Sequence, residues 1–180
     1  IAVCRRADDA RPSRLSVGSS SAMEALEMER LVRRAIERRL PLLERLHAED
    51  TDCYRLFHGV AEDCPGVAVD RYGEVLLVQT WREPLPAASL AAILRTATNA
   101  LGVDLAVAWR DRRTRGTGSR RAAVVHGDDP RLRSAEGREL ARRYDVRPHH
   151  GGQDPLLFLD LRAARRLVTR MAAGRSVLNL

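Results

Sequence analysis

Between residues 55 and 81 three short runs of valine, leucine and aromatic residues are separated by turn chemistry, and this commits the middle of the chain to β-structure. The runs are Arg55 to His58, Val67 to Asp70 and Val75 to Trp81. Pro65-Gly66 fits a type II turn, since proline fixes one dihedral and glycine accepts the positive one; Asp70-Arg71-Tyr72-Gly73 reads as a second turn. The result is a hairpin core. Pro84 and Pro86 end it, and Pro86 can occupy the first turn of a helix through Leu90, Ile93, Leu94 and Leu101, stopped by Gly102. Val103 to Trp109 and Arg121 to Val125 read as further strands, and Arg138 to Ala141 with Tyr144 to Arg147 as a last hairpin. The fold class expected is α+β, a mixed sheet with flanking helices.

A helix is expected ahead of the strands. Ser21-Ala22-Met23-Glu24 has the form of a capping box, and Met28, Val32, Ala35, Ile36, Leu43 and Leu46 recur at helical spacing on one face. Glu29 and Arg33 make a favourable i,i+4 pair, and Pro41 should kink or divide the helix after Leu40. Arg30, Arg34 and Arg38 on the other face are either a solvated surface or an RNA track. Residues 1–20 lack periodicity and read as a linker or a disordered end. Toward the far end a basic helix, Leu161 to Ala173, is closed by Gly174, and Val177-Leu178-Asn179-Leu180 reads as a short buried strand. The opening Ile1 and the apolar close suggest an excerpt of a longer protein.

Charge then narrows the partners. The net charge is +7, and all 31 basic residues are arginine, so the chain carries a field favourable to polyanions, with nucleic acid the natural partner. No apolar run approaches the roughly 18 to 20 residues that span a bilayer, and no signal peptide is evident, so no membrane partner and a cytoplasmic location are expected. Cys4, Cys53 and Cys64 show no CxxC pairing, and Cys53 and Cys64 read as small core or loop residues. His149-His150 would point to opposite faces of a strand, which argues against metal.

The segment from Arg110 to Arg121 holds six arginines against one acid, with Gly116 and Gly118 among them. Guanidinium forks match phosphate oxygens, so Arg110, Arg112, Arg113, Arg115 and Arg120 are candidate RNA contacts; a solvated hairpin loop is the alternative. Asp63-Cys64-Pro65-Gly66 and Asp70-Arg71 read as turns, and Arg71 is the best RNA candidate among them.

Two phrases carry a resemblance. Arg55-Leu56-Phe57-His58-Gly59 through Pro65-Gly66-Val67-Ala68-Val69-Asp70-Arg71-Tyr72-Gly73, and Gly152 through Phe158-Leu159-Asp160-Leu161-Arg162 to Val177-Leu178-Asn179, resemble motifs of class I S-adenosylmethionine-dependent RNA methyltransferases, specifically the family that methylates C5 of cytosine in large-subunit ribosomal RNA. The resemblance implies a middle α+β domain over residues 21–150, facing RNA. It also implies the first helix and strand of a truncated Rossmann-like catalytic domain over 151–180. S-adenosylmethionine is then the expected cofactor of the intact protein, with Phe158, Asp160, Arg162 and Asn179 at its pocket; Asp160 could instead cap the following helix. Asp154-Pro155-Leu156 stands where many members have Lys-Thr-Gly. The cysteine nucleophile of such an enzyme would lie downstream of Leu180, so no catalytic residue is assigned here and the piece alone is expected to be inactive. Two alternatives are a non-catalytic RNA-binding module and a methyltransferase acting on a non-ribosomal substrate.

Overall fold

The computed structural model describes residues 17–112, 125–148 and 157–178. A helix, α1 (Val17–Ala48), leads into strands β1 (Cys53–His58), β2 (Val67–Tyr72) and β3 (Val75–Thr80). Helix α2 (Ala87–Leu101) then crosses to β4 (Ala106–Asp111), and a short β5 (Val125–His126) follows. These five strands form one sheet in sequence order, antiparallel except for the β3–β4 pair, which is parallel because α2 carries the chain back to the starting edge. A second, two-stranded sheet joins β6 (Glu136–Glu139) to β7 (Arg142–Asp145), and α3 (Arg162–Ala172) comes last. The expected mixed sheet with flanking helices is present.

Alternation along the strands divides the core in two. Tyr54, Val67, Val69, Leu76 and Val78 face α1 and α2, where Val32, Ile36, Leu43, Leu46, Ile93 and Ala97 close over them. Burying a side chain such as Ile36 or Leu43 contributes about 2 kcal/mol, so this stripe is what fastens α1 to the sheet. On the opposite face Cys53, Tyr72, Val75, Leu77, Ala106 and Ala108 pack under Leu132, Ala135, Val146 and Leu157. This second cluster covers only part of that face.

β1 contains an irregularity with a consequence. Its register against β2 shifts between Arg55, opposite Asp70, and Phe57, opposite Val69. The extra residue lets the neighbours Leu56 and Phe57 both enter the helix-side core, while Arg55 and His58 stay outside it.

Several expectations change. α1 starts at Val17, so residues 17–20 belong to the helix rather than to a linker. Pro41 does not divide α1, because Ile36 before it and Leu43 and Leu46 after it are held by the same core. Asp70 and Arg71 lie inside β2, and the turn falls on Gly73 and Glu74. The first strand of the second hairpin sits two residues earlier than expected. Val177 and Leu178 are not a buried strand: both are exposed, with Leu178 80% accessible, and no strand among the described residues pairs with them. A strand needs a partner for its backbone groups, and an apolar run alone does not supply one.

Gly73 fixes how the two sheets meet. Its φ is +60°, and a Cβ there would stand 2.1 Å from the carbonyl oxygen of Glu136 in β6. Gly102, at the end of α2, has a φ of +64° but open space around it. Gly73→Ala should therefore destabilise the protein by about 3 kcal/mol and Gly102→Ala by about 1 kcal/mol, as read by urea unfolding; equal losses would show that the contact with β6 is unimportant.

Candidate functional site

The uncovered part of the second sheet face is polar and forms one wall of a cleft of about 840 Å³. Across it runs a chain of polar contacts that crosses the strands. The Arg55 guanidinium on β1 donates to both carboxylate oxygens of Asp70 on β2, at 2.7 and 2.9 Å. Asp70 also accepts from the Gln79 amide on β3 at 3.4 Å, and the Gln79 carbonyl accepts from Arg112, just beyond β4, at 3.0 Å. Asp70 and Gln79 are buried, so they act as the anchored middle of the chain, while Arg55 remains partly exposed. The Arg112 guanidinium carbon lies 6.0 Å from the centre of the Trp81 ring, within cation–π range, and Trp81 is 43% exposed.

The opposite wall is the segment entering α3. Phe158, 48% exposed, and Asp160 line the cleft together with Arg162. A 3-10 turn over Leu159–Leu161 precedes α3, and Asp160 makes no capping hydrogen bond, so the helix-cap role considered for it is not seen. Arg162 is committed to holding structure. Its Nε donates to Glu139 Oε2 at 2.8 Å and its Nη2 bonds the carbonyl of Cys53. Arg165 donates to both oxygens of Glu139, at 2.5 and 3.0 Å, and to the Phe158 carbonyl at 2.7 Å; Arg166 pairs with Glu49. The fully buried Glu139 therefore ties α3 to the second hairpin.

The structure sorts the expected site residues. It brings Arg112, an RNA candidate, into the same cleft as Phe158, Asp160 and Arg162. Arg71 does not fit an RNA contact: it is buried, its Nε donates to the Gly73 carbonyl at 2.8 Å and its Nη1 to the Tyr54 hydroxyl at 2.6 Å, while His47 bonds the same hydroxyl. Arg110 does not fit either, since it is fully buried and donates to the Pro148 carbonyl at 3.0 Å. Arg113, Arg115, Arg120 and Asn179 lie outside the described residues, as does the His149-His150 pair. Among the described residues no group of histidine, cysteine and carboxylate side chains could hold a metal ion.

Sequence reasoning missed Arg55, Gln79 and Trp81 as site residues. Their signal was weak, because each sits on a strand that reads as core, and only the β1 bulge and the strand register place them on the open face. It also left Arg38 on a solvated or RNA-facing surface, whereas Arg38 and Arg39 clamp the buried Glu62, which also accepts from the His58 amide at 2.7 Å. Cys53 is fully buried, and burial, reinforced by the nearby Asp52, pushes its thiol up to about 12. It is neutral at physiological pH and no nucleophile.

No protein-family model matches the chain. It is 31% identical, over 142 residues, to the ribosomal RNA large subunit methyltransferase K/L of Aeromonas hydrophila, an alignment covering 73% of this chain and 18% of the relative. The same figures hold for the protein of that name in Aeromonas salmonicida. The chain thus spans less than a fifth of the length of the curated relatives it matches. Among solved structures, a candidate SAM-dependent methyltransferase from Streptococcus mutans superposes with a TM-score of 0.59 at 18% identity, covering 83% of this chain and 36% of that one. Another candidate methyltransferase, SMU.776 in complex with SAH, gives 0.56 at 19% identity, with 80% and 35% covered. The fold is thereby one found within SAM-dependent methyltransferases. By sequence the chain is thus similar, over most of its own length, to ribosomal RNA large subunit methyltransferases. Among the described residues no helix is long and apolar enough to cross a membrane.

Glu139 offers a test of how the α3 wall is held. Burial raises its carboxyl, but hydrogen bonds and charge from Arg165 and Arg162 outweigh that and leave it below the usual glutamate range. A lowered folded value means stability that is present above the unfolded pKa of about 4.3 and lost as pH falls through the folded one. Glu139→Gln should cost about 3 kcal/mol at neutral pH in urea unfolding, and the gap to wild type should shrink as pH falls below the usual glutamate range and the wild-type carboxylate itself takes up a proton. A gap independent of pH would show that the ion pairs contribute nothing.

Proposed function

We propose that the intact protein transfers a methyl group from S-adenosylmethionine to an RNA base, cytosine C5 of large-subunit ribosomal RNA, and that the described residues form its RNA-facing platform with one wall of the cofactor site. In this reading residues 21–150 are the platform domain, and 151–180 open the catalytic domain. The observation that carries it is the single cleft that joins Arg112 on the sheet side to Phe158 and Asp160 on the α3 side. The family of the relatives supports the chemistry.

The fit of the cofactor to these residues is partial. A ring, Phe158, and a carboxylate, Asp160, face the cleft and would meet the cofactor, with Asn179 as a further contact; Arg162 would position this wall through Glu139 rather than touch the ligand. When bound, S-adenosylmethionine supplies an electrophilic methyl group. Attack by a pyrimidine carbon requires a thiolate to add at C6 first, and neither described cysteine is suited to that: Cys53 is sealed in the core, and burial raises the Cys64 thiol as well. The nucleophile would therefore come from elsewhere in the intact protein. In this reading the rest of the pocket belongs to the intact protein, so the 180-residue chain is expected to bind S-adenosylmethionine weakly at most.

Two measurements check this. Bisulfite sequencing of ribosomal RNA from cells lacking the gene should show one large-subunit 5-methylcytosine lost; an unchanged pattern would overturn the assignment of base or acceptor. Calorimetry on the 180-residue chain should show no S-adenosylmethionine binding, and micromolar affinity would refute the partial-pocket reading.

A further inference from the structure

We propose that the cleft seats one unstacked nucleotide of single-stranded RNA, its base lying against Trp81 and its phosphate between Arg55 and Arg112. This rests on the RNA reading above, and it goes further by naming the form of RNA and the side chains that meet it.

The argument starts from what the cleft exposes. Trp81, 43% exposed at the end of β3, offers the cleft a flat aromatic face. Trp81 directly follows β3 and is fixed at its backbone, where its amide donates to the Gly66 carbonyl at 2.9 Å. The main chain that carries the ring is thereby fixed, and the Arg112 guanidinium lies against the ring. Every base has a π face, so stacking on such a ring tolerates sequence but requires that the base be free of its own stack.

The charges beside the ring suit a phosphate. Arg55 is locked from behind by the buried Asp70, and Arg112 by Gln79, which itself leans on Asp70. One buried carboxylate thus orients the Arg55 guanidinium directly and the Arg112 guanidinium through Gln79. Preorganised arginines lose less side-chain freedom on meeting an anion than solvated ones do, and their planar forks match phosphate oxygens. Asp70 lines the cleft but is almost fully buried and bonded on both oxygens by Arg55, and Asp160 stands on the α3 wall. A base pair in a duplex offers no exposed face, so the combination of ring and paired arginines selects a single strand.

The test uses the 180-residue chain and a single-stranded RNA decamer of mixed sequence carrying a fluorescent label, followed by anisotropy and by tryptophan emission. Binding should quench Trp81. The other tryptophan, Trp109, is stacked on His126 and bonded to Thr80, so Trp81→Phe should keep the affinity within about 3-fold while abolishing most of the quench. Trp81→Ala should weaken binding by about 10-fold, and Arg112→Gln should lower the slope of log affinity against log salt by about 1. A duplex of the same sequence should bind more weakly. The proposal is overturned if Trp81→Ala binds like wild type while circular dichroism shows both folded, if duplex binds as tightly as single strand, or if S-adenosylhomocysteine quenches Trp81 and displaces the RNA, which would make the cleft a cofactor seat. Its failure is separable from that of the proposed reaction: loss of the ribosomal 5-methylcytosine in the deletion strain with no role for Trp81 sinks only the nucleotide seat. Trp81-dependent binding with an unchanged methylation pattern sinks only the reaction.

Discussion

Side chains alternate along a strand, so filling one face of the main sheet with Val67, Val69, Leu76 and Val78 sends Ala68, Asp70, Leu77 and Gln79 to the other. Helices α1 and α2 cover most of the first face, and Arg71 there is absorbed by Tyr54 and the Gly73 carbonyl. The second face is shared. Its β6–β7 side is dry and carries Leu132, Ala135 and Val146, and its other side is the cleft with Arg55, Asp70 and Gln79. The open face exists because the first is closed, and the bulge in β1 lets Arg55 reach it without removing Leu56 or Phe57 from the core.

A second constraint is the use made of arginine. With no lysine in the chain, every positive charge is a planar fork able to bond two acceptors, and the structure uses many of them internally. Arg162 and Arg165 converge on Glu139, Arg38 and Arg39 on Glu62, and Arg55 on Asp70. In each case a carboxylate buried away from water is balanced by guanidinium groups that reach it from another element. These pairs tie α3 to the second hairpin, α1 to the turn after β1, and β1 to β2. The excess of positive charge is therefore a poor guide to which arginines meet a partner: the two most enclosed candidates, Arg71 and Arg110, serve the fold.

Much of this architecture could be read from residue patterns. The apolar stripe from Met28 to Leu46, the turn at Pro65-Gly66, the stop at Gly102 and the helix after Leu161 each depend on neighbours within a few residues, and each forms. The places where the reading slipped share a cause. Pro41 is carried through α1 because tertiary packing on both sides outweighs one lost backbone bond. Asp70-Arg71 has turn composition but pairs fully within the sheet, and Val177 and Leu178 have strand composition but meet no partner among the described residues.

The chain's own sequence determined most of the elements, the two apolar stripes and the likeness to ribosomal RNA methyltransferases, because these rest on local periodicity and on motifs that survive out of context. Which arginines face a ligand, that Trp81 stands beside Arg112, and that Phe158 and Asp160 share their cleft were decided only by the tertiary structure. The physical reason is that these relations join residues distant in sequence through strand register and a single bulge, and a shift of one residue in either would turn strand side chains such as Arg55, Asp70 and Gln79 to the opposite face.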